Sequence, residues 1–396
     1  MSVTFDSMWA ECLRVIANET GFGVDDIDDD DDFTTDLGVN PIVLRSMVRC
    51  LKVILKQDIP SAVFTQYPTI KEFREGYLQA CFESEKSRPQ SQHSDKFPAL
   101  VVGKNPKNTP NKTKSRIPVS MVLQGKPATD ESTTNIFLLP DGSGSGMAYA
   151  AMPHIYPYSV CLIAMNSPYL NSATEYRCSI NEIARQYVKE IRQRQPHGPY
   201  IIGGWSAGGY YSTEVVRELA RQGERVRKLI LLDSPCRPDF EDLPMEVVEY
   251  LSRNNLMGNW GSNSRIDNVP QWVLAHFRST LRAVREYIPE PVDSTDGPEE
   301  VCIIWSRDGV LPIQELEKTG LDLSVRVSRF LLEGKPDLTR AYGWDRLFPE
   351  SRFSISSMPG NHFSLINKPN INELAVLLRD VVTEPSQRQR SWYSFQ

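Results

Sequence analysis

Pro199-Tyr200-Ile201-Ile202-Gly203-Gly204-Trp205-Ser206-Ala207-Gly208-Gly209 is the stretch that decides the fold. It starts as a short apolar run rich in β-formers. Beyond it Val215, Val216 and Leu219 recur at helical spacing. The order is strand, glycine turn, helix. Gly204-x-Ser206-x-Gly208 has the spacing of a nucleophile elbow, in which a serine stands on a sharp strand-to-helix turn. Such a turn demands strained backbone angles, and side chains at its glycine positions would strike the strand or the helix. The serine then sits at a helix N-terminus, where free N–H groups favour developing negative charge.

The sequence on either side continues the pattern. Ile136-Phe137-Leu138-Leu139-Pro140 reads as a buried strand and runs into Asp141-Gly142-Ser143-Gly144-Ser145-Gly146. That loop lacks the lysine of a P-loop and the acidic partner of a dinucleotide site. Behind an elbow it supplies one oxyanion-hole N–H, expected from Ser143 or Gly144, with the other from Ala207. Val160-Cys161-Leu162-Ile163-Ala164 is the next strand, and Ile183, Tyr187, Val188 and Ile191 mark an amphipathic helix. Strands follow at residues 227–232, ending in Asp233, and at residues 301–305, followed by Asp308. Phe353-Ser354-Ile355 precedes Gly360-Asn361-His362-Phe363, and a last helix carries Leu374, Leu377, Leu378 and Val381. Alternating strands and helices imply right-handed crossovers and a mostly parallel sheet, with functional residues at the carboxyl ends of strands. The expected class is α/β, an α/β-hydrolase, with residues 239–297 forming a helical lid.

A serine hydroxyl needs a base within hydrogen-bond reach, and the base needs a carboxylate to orient it. The chain has five histidines: His93, His154, His197, His276 and His362. The order Ser, acid, His along a hydrolase selects His362. For the acid, Asp233 ends the strand after the elbow helix. Asp308 ends a later strand, the commoner arrangement. Cys236 reads as a packed thiol rather than a second nucleophile.

Composition sets the outer bounds. A chain of 396 residues is long enough for two domains. A net charge of −6 argues against general nucleic-acid binding. No apolar run approaches the roughly 20 residues that span a bilayer. The first residues show amphipathic spacing at Trp9, Cys12, Leu13 and Ile16 rather than the pattern of a signal peptide. Seven scattered cysteines lack C-x-x-C spacing, so no disulfide framework and no metal site is expected, and the cytoplasm is the expected compartment.

Residues 1–83 read as short helices joined by polar loops. Asp25-Asp26-Ile27-Asp28-Asp29-Asp30-Asp31-Asp32 reads as a solvated loop, Ile42, Val43, Met47, Leu51 and Ile54 mark a second helix, and Thr69 can cap a last one. Residues 84–117 lose apolar periodicity and read as a flexible, locally basic linker. Phe33-Thr34-Thr35-Asp36-Leu37-Gly38-Val39 and Phe64-Thr65-Gln66-Tyr67-Pro68-Thr69 make this region resemble the acyl carrier domain of fungal iterative polyketide synthases. In that family the first string runs on into Asp-Ser, and the serine holds the phosphopantetheine arm. Here the pair is Asn40-Pro41; proline suits the first turn of a helix but has no hydroxyl, and Ser46 lies off the motif. The resemblance therefore implies a carrier fold without its cofactor: none is expected, with Pro41 in place of the serine. Docking to a partner enzyme and a vestigial domain are both consistent with that.

Leu138-Leu139-Pro140-Asp141-Gly142-Ser143-Gly144-Ser145, the elbow, Leu231-Leu232-Asp233-Ser234-Pro235 and Gly360-Asn361-His362-Phe363 together resemble the thioesterase domain of fungal non-reducing polyketide synthases. The resemblance implies a thioesterase domain over residues 118–385, with Ser206 as nucleophile, Asp233 as acid, His362 as base, and a tail at 386–396. The ketosynthase, acyltransferase and product-template domains of that family are absent from the sequence, and the expected function is a freestanding thioesterase acting in trans, which releases a polyketide acyl chain from the loaded carrier domain of a partner synthase by hydrolysis, esterification or cyclisation. An esterase or acyltransferase using the same triad on an oxygen ester, and a non-catalytic docking protein, are the alternatives.

Overall fold

The structure, a computed structural model, describes the chain apart from residues 1–3, 21–23, 25–26, 35, 38, 40, 87–119, 126, 128–133, 156–158, 171, 258–268, 293–296, 384–386 and 396. Two compact units divide it, residues 1–117 and 118–396. Most of the expected linker, with His93, lies outside the described residues.

The first unit holds helices α1 (Phe5–Thr20), α2 (Pro41–Leu55), α3 (Val63–Gln66), α4 (Ile70–Glu72) and α5 (Gln79–Lys86); a π-helical stretch, Phe73–Leu78, joins the last two. Helices α1 and α2 pack together and bury Cys12, Ile16, Met47 and Leu51. Phe33 meets Phe64 and Phe73 edge-on, with ring centroids 5.0 and 5.6 Å apart. Thr69 caps α4 through a capping box with Glu72. The acidic run is not simply a solvated loop. Asp29 holds Arg74 at 2.9 Å, and Asp31 is buried and accepts the Asp28 N–H at 2.7 Å.

The second unit is built on one eight-stranded sheet. Its strands are β1 (Ser120–Gln124), β2 (Thr134–Leu139), β3 (Val160–Met165), β4 (Tyr200–Trp205), β5 (Val226–Leu232), β6 (Glu300–Ser306), β7 (Arg352–Met358) and β8 (Tyr393–Phe395). Their order is β1-β3-β2-β4-β5-β6-β7-β8. The six inner strands are parallel, and β1 and β8 pair antiparallel at the edges. The helices are α6 (Ile180–Arg194), α7 (Gly208–Arg221), α8 (Met245–Arg253), α9 (Gln271–Arg285), α10 (Ile313–Leu316), α11 (Arg326–Leu332), α12 (Trp344–Leu347) and α13 (Asn370–Val382).

Side chains alternate across each strand, so the sheet carries two cores. Phe137, Leu139, Ile202, Leu229 and Leu231 pack with Ile183, Tyr187, Val215 and Val216 of α6 and α7 on one face. Ile136, Leu138, Ile201, Ile230 and Leu232 pack with α13 and with lid residues on the other. Burial on both faces is why these strands read as unbroken apolar runs. Helices α8 and α9 occupy the expected lid segment. The expected tail is not loose, because Tyr393–Phe395 extends the sheet and Arg388 holds the buried Glu300 at 2.6 Å.

Candidate active site

Ser206 stands between β4 and α7 with φ +57°, a left-handed conformation rare for a side-chain-bearing residue. Crowding explains the flanking glycines. A Cβ on Gly204 would lie 2.5 Å from the Gly208 carbonyl carbon, and one on Gly208 would lie 2.8 Å from the Leu139 oxygen. The turn is tied down on both sides. The Ser206 N–H donates to the Leu232 carbonyl at 3.0 Å, and Ser234 Oγ donates to the Ser206 carbonyl at 2.6 Å.

His362 comes from the loop after β7. Asn361 Oδ1 accepts the Phe363 and Ser364 N–H groups at 3.1 and 3.0 Å, and Asp308 accepts the Gly360 N–H at 3.0 Å. The loop so held brings His362 Nε2 to 3.0 Å from Ser206 Oγ and Nδ1 to 2.9 Å from Asp233 Oδ2. Asp233 therefore meets the imidazole, while Asp308 braces the backbone beside it. The remaining histidines that are described lie elsewhere: His154 is exposed, His197 pairs with Glu224 at the surface, and His276 is in α9.

Asp233 is fully buried at the end of β5, with φ +48°. Its Oδ1 accepts the Ser306 N–H at 2.8 Å and Lys335 Nζ at 2.8 Å; its Oδ2 accepts Ser306 Oγ at 2.9 Å. Burial alone would drive the carboxyl toward its neutral form. The Lys335 ammonium and the His362 contact overcome that and hold it well below the usual carboxylate range. Lys335 is itself buried. It donates to Ser306 Oγ at 3.0 Å and sits 4.3 Å above the Phe330 ring. Gly334-Lys335-Pro336 carries no motif, so nothing in the sequence singles this lysine out.

The loop after β2 differs from expectation in its details. Gly144 N–H is turned inward onto the Asp141 carbonyl at 3.0 Å, and Ser143 Oγ donates to Asp141 Oδ1 at 2.5 Å. Neither Ser143 nor Gly144 lines the cavity above Ser206; Asp141 and Gly142 do. Because the Asp141 carbonyl faces into the loop, the trans peptide aims the Gly142 N–H the other way. Ala207 is the N-cap of α7, so its N–H is among the helix's free donors. The Gly142 carbonyl is anchored from the lid, accepting His276 Nδ1–H at 3.0 Å and Thr280 Oγ1 at 3.2 Å. Burial pushes His276 down to about 4, so the ring is neutral. Burial pushes Asp141 up to about 7, against the hydrogen bonds from Ser143.

The cavity encloses about 710 Å³ with its open mouth. Ser206, His362 and Gly142 line one end, and Phe277, Leu281, Val327, Phe330 and Leu331 are among the apolar groups above them. Helix α11 thus joins α8 and α9 in roofing the site. Among the described residues no cluster of His, Cys, Asp or Glu is placed to hold a metal ion, and no helix is long and apolar enough to cross a membrane.

A mostly parallel sheet with an elbow serine after β4 and a histidine after the seventh strand defines an α/β-hydrolase. Residues 134–380 match the thioesterase domain family, and the chain belongs to that family; it is a hydrolase by fold and kinship. Residues 13–75 match the phosphopantetheine attachment site family. A non-reducing polyketide synthase of Aspergillus terreus, terA, is 31% identical over 92% of this chain and 18% of its own. The pks27 synthase of Aspergillus flavus is 31% identical over 90% of this chain and 19% of its own. The chain thus spans less than a fifth of the length of these relatives, and the resemblance to their carrier and thioesterase regions is borne out. Among solved structures, a holo four-domain nonribosomal peptide synthetase bound to AMP and glycine shares the fold. Its TM-score is 0.52 at 18% identity, covering 97% of this chain and 27% of that one.

One expectation is corrected by these matches. The first unit was expected to take no cofactor, but it falls in the phosphopantetheine attachment family, so phosphopantetheine is the group to consider there. The side chains of Pro41 and Ser46 lie outside the described residues.

Proposed function

We propose that this protein releases a polyketide acyl chain from a thioester, using Ser206 as nucleophile, His362 as base and Asp233 as the orienting acid. The observation that carries the proposal is the 3.0 Å approach of His362 Nε2 to Ser206 Oγ beneath an apolar cavity. His362 takes the hydroxyl proton as Oγ attacks the thioester carbonyl. The Gly142 and Ala207 N–H groups face the developing oxyanion, which the start of α7 also favours. The tetrahedral intermediate collapses, and the thiol leaves with the proton from His362. Water, a substrate hydroxyl or an enolate carbon then takes the acyl group from Ser206, giving an acid, an ester or lactone, or a new carbon ring.

The proposed substrate is the acyl-loaded phosphopantetheine arm of a partner polyketide synthase's carrier domain, presented in trans. Kinship to polyketide synthases over nine-tenths of the chain and the apolar roof above Ser206 support a polyketide acyl group as the substrate. The test supplies a separately made, acyl-loaded carrier domain, and in parallel a thioester and an oxygen ester of the same acyl group. Release from the carrier and preference for the thioester, both lost in Ser206→Ala, are expected. Preference for the oxygen ester would make the protein an esterase, and turnover undiminished in Ser206→Ala would reject the site.

A further inference from the structure

Lys335 has no place in the mechanism above, yet it is a buried cation 2.8 Å from the carboxylate that orients the base. The two partners of Asp233 use different oxygens. Lys335 reaches Oδ1, and His362 reaches Oδ2. The ammonium therefore does not compete with the imidazole for its hydrogen bond. Ser306 ties the cluster together, donating its hydroxyl to Oδ2 while accepting from Lys335. Phe330 and Trp305 flank the ammonium, at 4.3 and 5.9 Å from their ring centroids.

A buried carboxylate beside an imidazole stabilises the imidazolium. The less that charge is shielded, the higher the pH at which the base becomes free to accept a proton. Resting on the function proposed above, we propose that Lys335 is a positioning residue whose ammonium offsets the Asp233 charge and so keeps His362 in its neutral, proton-accepting form. The hydrogen bond that orients the ring is retained while part of the carboxylate's electrostatic pull on it is offset.

The groups facing His362 leave this role to Lys335. Asp233 comes from the end of β5 and Ser206 from the elbow, while the Trp205 and Phe363 rings flank the imidazole. Arg307 and Asp308, at the end of β6, are exposed and engaged with Ser357 and Gly360. Asp141 lies across the cavity, held by Ser143. Lys335 is the cation among them that is buried against the carboxylate.

The test is the pH profile of kcat/KM for a small acyl thioester with the full chain, its Lys335→Met variant and its Lys335→Arg variant. In Lys335→Met the acid limb should move up by between about one and two pH units, the order expected for one buried charge on the far side of the carboxylate at an effective dielectric near 20 to 40. On that limb the rate falls tenfold or more, while the high-pH plateau falls less. Lys335→Arg should restore the limb. A uniformly lowered profile with an unmoved limb would overturn the proposal and leave Lys335 a packing residue. Should Lys335→Met not fold, Lys335→Gln, which keeps a polar group beside Ser306 without the charge, takes its place in the same profile, with a moved limb expected and an unmoved limb overturning the proposal. Turnover surviving in Ser206→Ala would instead reject the proposed function; an unmoved limb with Ser206-dependent turnover rejects only the role of Lys335.

Discussion

Gly204→Ala puts the elbow under a defined strain. The added Cβ would lie 2.5 Å from the carbonyl carbon of Gly208 and 2.6 Å from its oxygen, and all three nearest atoms are backbone. Ordinary contact begins near ~3.4 Å, so the end of β4 and the first turn of α7 must part by about 1 Å. Overpacking of this kind costs about 1–3 kcal/mol, or a melting point lower by roughly 3–10 °C. The kinetic cost is larger. Ser206 rides on the displaced turn, and its 3.0 Å contact with His362 would stretch toward ~4 Å. A misplacement of about 1 Å costs on the order of 100-fold in rate. Initial rates with a soluble acyl thioester, read beside thermal melts, measure both effects. Gly297→Ala is the control, since its Cβ meets the Ser351 hydroxyl at 3.2 Å and the Phe348 ring at 4.0 Å, with no backbone atom crowded and away from the site. Wild-type kcat/KM and melting in Gly204→Ala would refute the steric account of the elbow.

Asp233→Asn should lower kcat/KM by about 10³-fold or more, because the amide can hold the imidazole in the wrong tautomer and leaves the Lys335 ammonium buried without its anion; a loss under tenfold would argue that another acid serves His362. The lid anchor gives a pH signature in two variants. His276 is held down to about 4 from 6.5, so its neutral burial stabilises the fold fully above pH 6.5, and that contribution is lost as the pH falls toward 4. Asp141 is raised to about 7 from 3.8, so its protonated burial favours the fold at low pH, and that contribution is lost as the pH rises through 7. The two slopes oppose each other in the unmodified protein. Melting followed from pH 4 to 7 should fall more steeply with rising pH in His276→Gln, and rise more steeply in Asp141→Asn, than in the unmodified chain; parallel curves would contradict both assignments.

How much of this was legible beforehand follows from the range of each interaction. The elbow and the strand runs are local, and spacing alone exposes them. Chain order restricts the expected base of a hydrolase to few positions and points to His362, which the fold brings to Ser206. The choice between Asp233 and Asp308 is not local: both end strands, and only the packing of the loop after β7 sends one to the imidazole and the other to the Gly360 N–H. Lys335 was invisible, since its partner lies about a hundred residues earlier and its neighbours carry no pattern. The first oxyanion donor depends on which way a single peptide faces, so Ser143 and Gly144 were expected where Gly142 lines the cavity. Helix α11 is short and its apolar residues look like ordinary core, although Val327, Phe330 and Leu331 roof the site. The C-terminal strand escaped notice because three residues are too few for periodicity.

The most direct measurement is the mass of the acylated protein after brief exposure to a slowly released acyl thioester, followed by peptide mapping. One acyl group on the peptide containing Ser206, absent from Ser206→Ala, is the expected result. Steady thioester turnover with no adduct at Ser206, or with the acyl group on another residue, would contradict it.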